Sequence, residues 1–192
     1  MPRLAGVLAA AAVAGAASCP AAQPSAVAAP CAAVAAGSAP VRASGLAGEY
    51  RLSLVATRGS RAGTSVAGGL RLAAYAQPAQ GPGNVRYPLY GSATLALDSV
   101  GAVAPGDIGS ANPSRPGVRV IEWQRSDAAS RTQLTLRFGA DANGPETGQI
   151  EGTRLALFVD SVAPSGFYGR WESGTPDQRS GGHFCAERTA GR

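Results

Sequence analysis

Apolar and polar residues alternate along most of the chain after residue 45. EYRLSLVA (49–56) puts Tyr50, Leu52, Leu54 and Ala56 on one face and Glu49, Arg51 and Ser53 on the other. GLRLAAYA (69–76) does the same with Leu70, Leu72 and Ala74, and SATLALDS (92–99) with Ala93, Leu95 and Leu97. TQLTLRFG (132–139) aligns Leu134, Leu136 and Phe138, and GTRLALFVDSV (152–162) aligns Leu155, Leu157 and Val159. FYGRWES (167–173) sets Phe167, Gly169 and Trp171 together, and GHFCAER (182–188) sets Phe184 with Ala186. GVRVIEWQR (117–125) supports two registers, because Val118 and Val120 oppose Ile121 and Trp123. A period of two means strands with one buried and one wet face. No window after residue 45 repeats apolar residues at helical spacing.

About eight strands separated by turn residues predict an all-β fold, an antiparallel barrel of about eight strands. A two-sheet β-sandwich gives the same alternation and is the alternative. Closure of a barrel removes exposed sheet edges and pairs the first strand with the last. Alternate connections then emerge at opposite ends. Residues 57–66, 100–116, 140–149 and 174–180 share one end, and 77–90, 126–130 and 163–165 share the other. The first end holds more of the long Gly- and Pro-rich loops, so a mouth is expected there.

The domain opens with Gly48-Glu49-Tyr50. This resembles the Gly-x-Trp signature that begins the first strand of lipocalin-like (calycin-type) barrels, with Tyr in place of Trp. The resemblance implies a barrel that binds a small apolar ligand. The residues expected to line that interior are Leu54, Leu72, Leu97, Leu136, Leu157 and Trp171. The helix that follows the barrel in that family has no counterpart after Arg188.

Composition changes the picture at the N-terminus. Residues 1–18 carry Arg3 and then an apolar run from Leu4 to Ala17, which is too short to span a bilayer and reads as an export signal. Ala16-Ala17-Ser18-Cys19 resembles a bacterial lipobox, which makes Cys19 a lipidation candidate. Cleavage after Ala14-Gly15-Ala16 by an ordinary signal peptidase is the alternative. Residues 19–45 are Ala-, Pro- and Ser-rich, have almost no bulky side chain, and read as a disordered tether. The barrel domain is expected over 46–189, with 190–192 as a tail. An exported chain matures in the envelope or is secreted, where disulfides persist. Cys31 and Cys185 are the expected pair, because closure brings the tether beside the last strand. A free Cys185 and a Cys19–Cys31 bond are the other outcomes.

All 17 basic residues are arginine, and the formal net charge is +5. The arginines are scattered singly, as at Arg58, Arg71, Arg86, Arg119, Arg137 and Arg154, and do not form the cluster that a nucleic-acid surface needs. His183 lies two residues from Cys185, so the two share a strand face, but nothing nearby orients the imidazole for a Cys–His dyad. Asp98, Glu122, Asp160 and Glu172 are the strand carboxylates. Convergence of two inside a cleft would be needed for acid–base work, and only Glu122 has a register that turns it inward. DANGPETG (141–148) is rich in oxygen ligands but lacks the spacing of a calcium loop. No phosphate-loop, dinucleotide, zinc or nucleophile-elbow motif occurs. The chain is therefore expected not to be an enzyme and to need no cofactor. The expected partners are a small apolar ligand and, through Cys19, a membrane. The alternative is an envelope module with a filled barrel and a protein partner.

Overall fold

The computed structural model describes residues 42–81, 84–123, 133–143, 155–175 and 178–189. Eight antiparallel strands close into a barrel in simple sequence order. They are β1 (Gly48–Arg58), β2 (Ser65–Gly81), β3 (Val85–Thr94), β4 (Val118–Trp123), β5 (Gln133–Phe138), β6 (Leu155–Ala163), β7 (Gly166–Thr175) and β8 (Gln178–Arg188). Each strand pairs with the next, and β8 pairs with β1 from Tyr50↔Arg188 to Arg58↔Gly181. The barrel, not the sandwich, is the arrangement formed. Three one-turn 3-10 helices complete the described structure: η1 (Ala43–Leu46), η2 (Leu97–Val100) and η3 (Gly139–Ala142).

Alternation became the core where it was regular. Tyr50, Leu52, Leu54 and Ala56 of β1 are all buried and belong to one central cluster. Leu134, Leu136 and Phe138 of β5 and Leu155, Leu157 and Val159 of β6 join them. One register row crosses the sheet as Leu89, Val120, Leu136, Leu157, Trp171, Gly182 and Ala56. A large apolar side chain gains about 1.5–3 kcal/mol on full burial, so this interior is the dominant source of stability.

The ambiguous strand takes the register with Val118 and Val120 inside. Ile121 then lies on the outer face opposite Thr135, and both are nevertheless buried. Glu122 turns toward the interior at the end of its strand, as that register requires.

Three expectations need correction. The strand expected over 92–99 ends at Thr94, and Leu97 sits on η2 instead. The segment 77–90, read as a loop, is mostly the end of β2 and the beginning of β3. Small and polar residues such as Gln77, Ala79 and Gln80 hide that strand, and Pro88 lies inside β3. The turn between them uses Asn84 at φ 59°, a left-handed conformation that asparagine tolerates better than most residues. Beyond Thr94, Leu95 and Leu97 still pack on the core, but from an irregular segment that folds across the barrel end. Ala74, expected inside, is exposed, because β2 there has run past the covered part of the barrel.

The stretch 167–173 behaves as a strand of the wall. Phe167 and Trp171 are buried inside, whereas Arg170 bonds Asp160 at 3.2 Å and Glu172 meets Arg58 at 3.1 Å outside. Gly169 is required by close packing: a Cβ there would meet the Phe158 carbonyl oxygen and lie 2.9 Å from the Phe184 ring. Trp171 pairs with Gly182 on β8, and its indole N–H reaches past that glycine to donate to the Val55 carbonyl of β1 at 3.0 Å.

Candidate functional site

Of the residues expected to line a pocket, Leu54, Leu136, Leu157 and Trp171 come together in the interior at 0 % exposure, and Leu72 joins them at 3 %. Leu97 packs on the same cluster only in part, from η2. Leu54, Leu136, Leu157 and Trp171 therefore pack against their neighbours rather than against water. An eight-stranded barrel has an interior that side chains can fill or that can hold one small ligand.

Both ends of the barrel carry caps. At the end where β1 begins, η1 lays Ala43 and Leu46 onto the core. The Tyr50 hydroxyl donates to the Leu46 carbonyl at 3.0 Å and accepts from Arg188 at 2.8 Å. Arg188, on the last strand, also donates to the carbonyls of Ala47 and Gly45, each at 3.0 Å. Its guanidinium lies 5.0 Å from the centroid of the Tyr50 ring, a cation–π distance. Below that clamp the Tyr50, Phe167 and Phe184 rings meet edge to face, at centroid distances of 5.0 and 5.9 Å. Burial raises the Tyr50 phenol above its ordinary value, and the charge and hydrogen bond of Arg188 offset part of that rise.

At the opposite end, where the mouth was expected, the β3–β4 connection folds inward. Val100 and Ala102 are buried in the central cluster, and Ala104 and Ile108 pack against it. The Ser173 hydroxyl receives a bond from the Val103 N–H at 2.8 Å and donates to the Val103 carbonyl at 3.1 Å. The Gly139 and Ala140 amides, at the start of η3, donate to the carbonyls of Gly117 and Pro105. Residues 144–149 and 176–177 of this end lie outside the described residues.

The titratable candidates are dispersed. Glu122 faces Arg86 at 3.9 Å on the inner side of the strand ends. Asp160 and Glu172 pair with Arg170 and Arg58 on the outer wall, and Asp98 is exposed on η2. His183 is exposed, whereas Cys185 beside it is buried and disulfide-bonded, so its sulfur is not a free thiolate. The bond's other sulfur lies outside the described residues, as do Cys19, Cys31 and most of the loop 141–148. Among the described residues no three His, Cys, Asp or Glu side chains form a metal-binding group. An open groove of about 310 Å³ runs along the outer wall, lined by Glu49, Arg71, Ser92, Thr94 and Thr189 among others.

Sequence reasoning missed the Arg188 clamp and the inward fold of the β3–β4 connection. Pairing of the first and last strands was expected, but the register that sets Arg188 opposite Tyr50 was not. Nothing in the pattern of residues 95–117 marked them as a plug.

No family model matches the chain, and no curated protein or solved structure matches it. The class that the fold defines is a closed, eight-stranded antiparallel β-barrel.

Proposed function

We propose that the protein is a self-filled β-barrel module of the bacterial cell envelope, exported and held to the membrane by a lipid on Cys19. In this reading it works through its outer wall and end loops on a protein partner, without catalysis and without an interior ligand. The observation that carries it is the complete burial of Leu54, Leu136, Leu157 and Trp171 by their own neighbours, between two capped ends. The lipocalin-like resemblance then extends to architecture and to the Gly48-x-Tyr50 opening, and not to a ligand chamber. Organic extraction of the native protein followed by mass spectrometry tests the reading. No lipid at the stoichiometry of the chain is expected, and one bound lipid per chain overturns it.

The anchoring half of the reading rests on Ala16-Ala17-Ser18-Cys19 and the uncharged stretch beyond it. The disulfide on Cys185 bears on it. The chain has three cysteines, so pairing of Cys185 with Cys31 leaves Cys19 for lipid. Cys185 faces the outer side of β8, opposite Ser53 of β1 and Tyr168 of β7, so the bond would strap the tether over the seam of the barrel. Cys19→Ser should move the protein out of the membrane fraction. Non-reducing peptide mapping should yield a Cys31–Cys185 peptide, and a Cys19–Cys185 peptide would refute both the pairing and the anchor.

A further inference from the structure

We propose that the groove on the outer wall is a saccharide site, which holds a hexopyranose unit over Gly69 with its hydroxyls on Glu49, Arg71, Ser92 and Thr94. The proposal stands apart from the filled interior, the lipid anchor and the protein partner.

Regular pairing sets the side chains of the groove. Gly69 lies beside Thr94, and Arg71 lies between Glu49 and Ser92. Tyr50, Leu70, Leu72 and Ala93 belong to the core, so by alternation Glu49, Gly69, Arg71, Ser92 and Thr94 point outward. β2 is paired here with β1 on one side and with β3 on the other, so the wall presents no edge for a peptide strand to extend. A ligand is taken up instead by side chains around a backbone floor.

Gly69 makes that floor. Its φ is not left-handed, and among the described residues a Cβ there would come within 4 Å of one heavy atom, Thr94 Oγ1 at 3.1 Å. At Gly169, by contrast, packing forbids a side chain. A strand glycine that neither turn nor packing demands weakens the strand and leaves room for a ligand to approach the backbone. The groove measures about 310 Å³, at the low end of the range for small-molecule sites and enough for a single sugar ring.

The rim selects the class of ligand. Arg71 Nε and Glu49 Oε1 stand 3.7 Å apart, too far for a hydrogen bond, and their side chains are 69 % and 66 % exposed. Guanidinium and carboxylate therefore both keep capacity for further bonds. Thr94 Oγ1 accepts from the Gly69 N–H at 3.0 Å and has its own proton to donate, and Ser92 supplies a second hydroxyl. A phosphate or carboxylate would gain Arg71 and be repelled by Glu49, and an ammonium group the reverse. An acyl chain would cover the rim without pairing its polar groups. A polyol satisfies the whole set. One hydroxyl donates to Glu49 and its neighbour accepts from Arg71, while the C–H face of the ring rests on Gly69.

The next outward pair along the same two strands is Ala73 and Tyr90. The half-buried Tyr90 ring, braced by Tyr75 at 4.6 Å, gives an amphipathic face to a second sugar unit. The ligand is thus a linear hexopyranose chain. The site is open to water and makes few contacts, which sets a millimolar affinity.

Amide NMR spectra of the full chain, titrated with cellotetraose, chitotetraose and mannotetraose, test the proposal. Saturable shifts centred on Gly69, Arg71, Ser92 and Thr94 are expected with at least one of these sugars by about 10 mM. Gly69→Val fills the floor, and Arg71→Ala removes the charged donor of the rim. Each should weaken binding by about fivefold or more, whereas His183→Ala, on the outer face of β8, should leave it unchanged. The spectrum of each variant reports its folding, and removal of the exposed Arg71 side chain leaves the core untouched. No shift at those amides with any of the sugars at about 10 mM overturns the proposal. So do shifts that survive both groove variants. Equal shifts with sodium phosphate would also overturn it, because they would mark Arg71 as a simple anion contact.

Discussion

The two ends of the barrel are closed by different means. At the end where β1 begins, a single turn of 3-10 helix supplies Leu46, and one long side chain from the last strand, Arg188, fixes it through Tyr50 and two backbone carbonyls. At the other end a long connection folds in and contributes Val100 and Ala102, secured by the Ser173, Thr64 and Tyr75 hydroxyls, the Asn143 amide and backbone bonds. The first cap is short and charge-assisted, and it ties the two terminal strands together. The second is long and neutral, and it belongs to the middle of the chain. Loss of the first should loosen closure of the barrel, whereas loss of the second should loosen one connection.

The largest contrast comes from the apolar plugs themselves. Leu46→Ala should destabilise the fold by about 2–5 kcal/mol, the range for truncating a buried leucine. Val100→Ala removes less volume and should cost about 1.5 kcal/mol. Urea unfolding of both variants measures the difference. Equal losses would show that the two ends contribute alike.

Next are the polar ties. Arg188→Ala removes charge-assisted bonds and a cation–π contact and leaves the Tyr50 hydroxyl short of a partner. Arg188 is itself exposed, so solvent reduces the loss to about 1–2 kcal/mol. Ser173→Ala should cost about 1 kcal/mol, and hydrogen exchange should show loosening confined to residues near Val103. Exchange that spreads from Ser173 to the β1–β8 pairing would erase the distinction between the ends.

The smallest effect is a pH signature present at one end only. The Tyr50 phenol is raised above its ordinary 10.0, chiefly by burial. A raised value in the fold means that its contribution is complete below about pH 10 and is lost as pH climbs through the folded value. Tyr50→Phe should therefore cost stability at about pH 8, and the gap to the wild type should narrow by about pH 11. A gap of constant size would mean that Tyr50 does not titrate with the fold.

The contrast also explains what was legible in the sequence. Strands β1, β5, β6, β7 and β8 alternate in sequence because each keeps an apolar inner face, and their inner residues could be named in advance, although Thr135 and Cys185 on the outer side are buried as well. Closure could be anticipated, but not the register that sets Arg188 opposite Tyr50. The second cap was illegible because Val100, Ala102 and Ile108 lie on turns, where burial follows no period. The β2–β3 hairpin was illegible for the opposite reason. Its far half projects beyond the core, so no burial patterns it, and Ala74 alternates without being covered. Leu54, Leu72, Leu136, Leu157 and Trp171 are buried together in the core, and Leu97 was grouped with them only because its strand was extended past Thr94. Whether those residues touch a ligand or one another depends on volume, which alternation does not encode.

Titration of the native protein with an environment-sensitive apolar dye tests the filled, doubly capped interior most directly. The account predicts fluorescence no different from that of dye alone until the protein unfolds. Saturable enhancement at one dye per chain, displaced by a long-chain fatty acid, would contradict it.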